Sequence, residues 1–197
     1  MTKETKWSID QAHSEITFKV RHLMISHTKG CFKTYDASIY TTDKDFSTAE
    51  IDLWIDAASI STGDAKRDEH LRSADFFDVE HHKQITFTAS SIGKVVIDGT
   101  RELWGELTMK GITKIIKLNV QFGGMANDPW GNEKVGFTIT GKINRTDWGL
   151  GWNQVLETGG LIVGEEISIL CEIELANVGY KDLVMILETK TEEQAVL

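Results

Sequence analysis

Apolar and polar side chains alternate with a period of two along most of this chain. From Ser14 to His22, Ile16, Phe18 and Val20 interleave with Glu15, Thr17, Lys19 and Arg21, and the apolar row ends on His22. Successive side chains of a strand point to opposite faces, so such a run predicts a strand with one dry and one wet face. Four further rows are plain: Ile51, Leu53 and Ile55; Ile116, Leu118, Val120 and Phe122; Val135, Phe137, Ile139, Gly141 and Ile143; Ile167, Ile169, Cys171 and Ile173. The pattern predicts strands near 14–22, 28–42, 49–57, 84–97, 100–109, 113–123, 133–146 and 162–175. The single proline, Pro129, leaves long strands uninterrupted. Gly63, Gly99, Gly123-Gly124 and Gly159-Gly160 mark turns, and Asp98-Gly99 is a hairpin signal. Strands with one dry face must close on themselves or stack on a second sheet. The interior of a barrel or sandwich is therefore the first place to look for function.

Two segments break the alternation. Asp64 to Phe77 has no period of two and is rich in Ala, Lys, Arg, Glu and Leu, which favour helix. It predicts a short helix between the third and fourth strands, covering one barrel mouth. In the tail, Leu183, Val184, Ile186 and Leu187 stand among charges at helical spacing. These patterns divide the chain into a β domain over 1–175 and a helical extension over 176–197. The tail is expected to pack on the barrel's outside or in a homodimer.

The 197 residues suit one large all-β domain, and 41% hydrophobic with 26% charged residues is an ordinary globular balance. A net charge of -9 argues against nucleic acid and a generally anionic membrane surface, since both are held by clustered Lys and Arg. Cys31 and Cys171 are read as two free thiols rather than a disulfide framework. Met1 to Trp7 lacks the apolar core of a signal peptide, and no run approaches a membrane span. The expectation is a cytoplasmic protein without stable membrane insertion, although a trimmed chain would look the same.

Trp7 to Asp10, Ile16 to Val20, Arg67 to Ser73, Gly105 to Thr108, Asn144 to Leu150 and Gly164 to Ile169, in that order along the chain, resemble motifs of the YceI family of lipocalin-like polyisoprenoid-binding proteins. Trp7 to Asp10, His13-Ser14, Ile16 to Val20 and His22-Leu23 are similar to its opening motif. Arg67 to Ser73 with Asp75 to Asp78 resembles the family's central helix motif. Gly105 to Thr108 with Gly111 to Thr113 resembles its mid-chain hairpin. Asn144 to Leu150 and Gly164 to Ile169 resemble its last two strands. The resemblance runs from Trp7 to Leu175. It implies an eight-stranded antiparallel lipocalin-like barrel with an apolar cavity for a long isoprenoid such as a quinone or polyprenyl phosphate. Many members carry a secretion signal, which this N-terminus lacks.

The function expected is non-catalytic binding or carriage of a long apolar lipid. The alternatives are a fatty acid or other amphiphile, an enzyme acting on such a lipid, or a barrel filled by its own side chains. An eight-stranded barrel is just wide enough to fill with side chains or hold one slender ligand. Phe18, Val20, Phe87, Phe137 and Ile139 are candidate ligand contacts. His22 and Arg145 share parity with dry rows, so both are placed inward near strand ends. An inward arginine is costly unless an anion or acceptor meets it, and its planar fork suits a phosphate or quinone carbonyl. The competing expectation is a structural pair with Asp147, Asp10 or Asp75. Trp148 and Trp152 flank a Gly-rich turn, where they gate a barrel mouth or fill a bend. Trp54 and Trp104 share the parity of charged neighbours and are placed outside, under the tail helix or in a dimer contact.

No catalytic residue, cofactor or metal is assigned. His70, Asp75, Asp78, His81 and His82 fit no standard metal spacing. Asp10 with His13 and Ser14 lacks a nucleophile elbow and reads as a turn capping the first strand through side-chain to backbone bonds.

Overall fold

The computed structural model describes residues 4–42, 46–95, 99–155 and 161–179. Its strand segments form one antiparallel sheet that closes on itself. Segments β1 (Thr5–Ile9) and β2 (Glu15–His22) lie end to end along one edge of the last strand. Ile9 faces Leu175 there, and Ile16 faces Cys171. In the same way β3 (Ser26–Phe32) and β4 (Tyr35–Thr41) make a second long stave, β5 (Glu50–Asp56) and β6 (Ile60–Ser61) a third, and β7 (Gln84–Ala89) and β8 (Ile92–Val95) a fourth. Single strands β9 (Thr100–Met109), β10 (Ile112–Asn127), β11 (Glu133–Asn144) and β12 (Val163–Asn177) complete the eight. The pairing of β1 with β12 closes the barrel.

The eight staves follow the eight alternating runs, with differences that have local causes. The run at 28–42 breaks at Lys33 and Thr34, whose backbone groups bond Ser59 and Asp56 instead of continuing the ladder. The first stave starts earlier, at Thr5, where only Trp7 and Ile9 signal the inward face. Strand β10 slips register between Phe122 and Gly124. Gly124 holds φ at 127° there, a bulge geometry open to glycine. Phe122, expected on the dry row, is half exposed at that bulge. Trp54 and Trp104 stand on the outer face, Trp104 opposite Lys117.

The helix α1 (Ala65–Arg72) occupies the predicted place. Asp64 caps it by accepting from the Arg67 amide at 2.9 Å, satisfying a donor that the first turn leaves open. Arg72 ties the helix to the barrel through Nε to the Ala58 carbonyl at 2.7 Å and Nη2 to that of Ile60 at 3.0 Å. Buried Asp68 accepts from the Thr62 amide and hydroxyl. Asp98, Gly159, Gly160 and the expected helical extension from residue 180 onward lie outside the described residues.

The expected capping turn after β1 is present. Asp10 accepts from the Ala12 amide at 3.0 Å, and the Ser14 hydroxyl receives the Glu174 amide at 2.9 Å. A wide core of Ile, Leu, Val and Phe faces the barrel axis, with Trp7, Phe46, Ile60 and Leu103 almost wholly buried.

Candidate functional site

The inward rows do not fill the barrel. They leave a lumen of about 250 Å³. Phe18, Val20, Phe87, Phe137 and Ile139 line it, as does Arg145. Among the described residues, Thr17 and Arg145 are the lining residues whose side chains carry nitrogen or oxygen, and the Thr17 hydroxyl is turned to the Leu170 carbonyl at 2.7 Å. One end is plugged by rings: Phe46 lies 5.1 Å from Trp7 and 5.1 Å from Phe137, and the Trp7 indole donates to Thr41 at 3.1 Å. The other end is roofed by Leu71, Phe76 and Phe77 from α1 and the turn after it. Phe77 meets Phe32 edge-on at 5.9 Å, and Trp152 packs on Phe76 at 5.4 Å. The adjacent Phe76-Phe77 pair is the sequence signal that this segment supplies wall as well as cover.

Arg145 sits at the roofed end, in a short 3-10 turn (Arg145–Trp148) that follows β11. The Asn144 side chain caps that turn by accepting from the Thr146 amide at 3.0 Å, and Gly149, with φ at 71°, ends it. Arg145 is 3% exposed. Its Nε donates to the Gly164 carbonyl at 2.9 Å, Nη1 to that of Leu150, and Nη2 to that of Val163 at 3.5 Å. The expected carboxylate partner is not there: no described ion pair includes Arg145, Asp10 binds Lys134, and Asp75 binds His70. Carbonyls orient the fork without neutralising it. Burial pushes the Arg145 pKa below its ordinary value, against a smaller opposite pull from Glu165.

Two expected lining residues stand elsewhere. His22 is half-buried at the end of β2 and is not in the lumen wall. It is the last residue of β2, where the strand runs into the turn at Leu23, and along β2 the wall ends at Val20. Trp148 is buried behind the wall, its indole donating to the Leu107 carbonyl at 3.1 Å. It fills the bend rather than gating a mouth.

Asp10, His13 and Glu174 bring their ligand atoms together, but the Lys134 ammonium already occupies the place of a cation. It lies 2.5 Å from Asp10 and 3.3 Å from Glu174. Both cysteines are free. Cys171 lines the lumen, where burial pushes its thiol up to about 12.

Comparison with known proteins agrees with this architecture. The YceI-like domain model matches residues 7–175. A UPF0312 protein of Staphylococcus aureus is 36% identical over 173 residues, covering 87% of this chain and 98% of its own. The crystal structure of a Campylobacter jejuni YceI protein superposes with a TM-score of 0.67 at 34% identity, covering 86% of this chain and 96% of that one. A polyisoprenoid binding domain from Saccharophagus degradans superposes with a TM-score of 0.63 at 17% identity, covering 87% and 98%, and shows the shared fold.

Proposed function

The chain belongs to the YceI-like domain family, and from that premise we propose that it binds and carries a long isoprenoid lipid inside the barrel without transforming it. The observation that carries this reading is the lumen itself: apolar along its length, with one buried guanidinium at one end. Burial of apolar chain contributes about 25 cal/mol per Å² removed from water, so affinity is spread along the lipid. Arg145 gives that lipid a direction. A phosphate or quinone oxygen at the head would supply the acceptor its carbonyl partners leave unmatched in charge. The name of the Saccharophagus degradans domain points to the same ligand class. The Cys171 thiol, held protonated by burial, suits a wall residue rather than a nucleophile.

The test is to purify the protein without detergent, extract it with organic solvent and identify the extract by mass spectrometry. A stoichiometric quinone or polyprenyl species supports the reading. An empty extract, together with no uptake of added isoprenoid, overturns it.

A further inference from the structure

The turn between β2 and β3 is built against ordinary backbone preference. Leu23 and Met24 hold φ at 51° and 59°, a left-handed region usual for glycine and asparagine and disfavoured for other residues. The turn nevertheless carries three apolar side chains in a row, and Met24 is 53% and Ile25 84% exposed. A second apolar pair stands beside it. Val155 and Leu161 face each other across an isolated bridge, 73% and 36% exposed, and the Leu23 amide donates to the Ile162 carbonyl at 2.8 Å. Two loops thus present one apolar rim, at the barrel end that holds Arg145.

The ladder behind this rim is basic, although the chain as a whole is acidic. Lys19 faces Lys29 directly across β2 and β3, and Arg21 faces His27. All four are exposed. Like charges opposite one another on a sheet are destabilising, so folding alone does not account for the pairing. Glu15 is the one acid on these two strands, while Glu165 and Glu166 lie in the neighbouring slip of β12. An apolar tip beside a basic face is the combination that seats a protein on an anionic bilayer.

We propose that the β2–β3 tip, with Val155 and Leu161, docks the barrel on a membrane surface bearing anionic headgroups, holding the roofed end of the lumen against the lipid source. This rests on the lumen reading, because a ligand too apolar to diffuse through water must be collected from a bilayer. Met24 and Ile25 enter the interface, and Lys19, Arg21 and Lys29 meet headgroups.

The experiment is co-sedimentation with vesicles of phosphatidylcholine and phosphatidylglycerol, for the wild type and the Met24→Asn/Ile25→Ser double variant. Asparagine suits the left-handed position, so the variant keeps or raises its melting temperature. Its vesicle partition is expected to fall about tenfold or more, from the apolar surface lost. Lys19→Gln/Lys29→Gln is expected to weaken binding and flatten its salt dependence. Uptake of isoprenoid from detergent, measured in parallel, is expected to stay at the wild-type level in both. Equal sedimentation of wild type and tip variant, or a wild type that stays in the supernatant, overturns the docking surface and leaves the lumen reading standing. A wild-type dimer that the tip variant splits, without vesicle binding, assigns the tip to self-association and overturns it as well. Loss of detergent uptake in the wild type tells instead against the lumen reading.

Discussion

Lys134 and Asp10 are 124 positions apart in the chain and meet at 2.5 Å, where the first stave bends between β1 and β2. The bond holds the Asp10 carboxyl down at about 2, with smaller help from His13 and the Ala12 amide against the cost of burial. Lys134 is raised in return. A carboxyl whose folded pKa lies below its unfolded value stabilises the fold above the unfolded pKa and loses that contribution as pH falls through the folded one. The window here runs from about pH 4 down to about pH 2. Lys134→Met is expected to lower unfolding stability by about 1 kcal/mol at neutral pH, with the difference shrinking toward zero near the bottom of that window. Denaturant melts of both proteins at neutral and acid pH measure this; a difference that stays constant with pH would assign the loss to packing.

Arg145 separates head from chain. Arg145→Gln is expected to weaken binding of a polyprenyl phosphate about tenfold or more, the scale of a charge-assisted hydrogen bond. Uptake of squalene, which has no polar head, should be unchanged. Titration of both ligands against both proteins checks the pattern. Equal weakening toward the two would make Arg145 a brace for the Leu150, Val163 and Gly164 carbonyls and nothing more.

Gly105 is required for a reason of space. A Cβ added there would strike the Phe87 ring and come within 2.6 Å of the Thr88 carbonyl oxygen. The carbonyl belongs to backbone and cannot swing away. Gly105→Ala is expected to destabilise the protein by about 1–3 kcal/mol, as overpacking does in tight cores. Urea denaturation reads the change. An unshifted midpoint would mean that β7 and β9 can part at this point.

The dry rows were legible because a buried sheet face imposes a period of two. Ile116, Leu118 and Val120 point inward as their spacing requires, while Trp54 and Trp104 point out. What escaped was set by backbone. The five residues of β1 are too short to show a period, and the break at Lys33 and Thr34 follows from hydrogen bonds to Ser59 and Asp56. His22 closes β2 at the turn, past the point where the lumen wall ends, which parity alone does not show. The partners of Arg145 are main-chain carbonyls, which every residue possesses and no motif announces.

The two cysteines should react very differently. Cys31 is half-buried, with its thiol donating to the Ser61 carbonyl at 3.8 Å. Cys171 lies in the lumen with its thiol pushed up to about 12, first by burial and then by Glu172. Thiol reagents attack the thiolate, so at mildly alkaline pH Cys171 should label on the order of a thousandfold more slowly than an ordinary free thiol. Counting modified thiols over time in native protein, and again in urea, checks this. Fast labelling of both sites in the native state would mean that the lumen is wet at Cys171.

Ile139 distinguishes a working cavity from a packing defect. It lines the lumen at mid-barrel, paired with Val120 on one side and Cys171 on the other. Ile139→Trp adds a large ring pointing into the hollow. In a filled core such a change costs about 1–3 kcal/mol. In a lumen of about 250 Å³ the ring has room, so the melting temperature should hold or rise as apolar surface is covered. Isoprenoid uptake should fall sharply, because the ring and the lipid compete for one volume. Thermal melts and ligand uptake, measured on one preparation, give the two readings together. A destabilised variant that still takes up lipid would place the binding path away from Ile139.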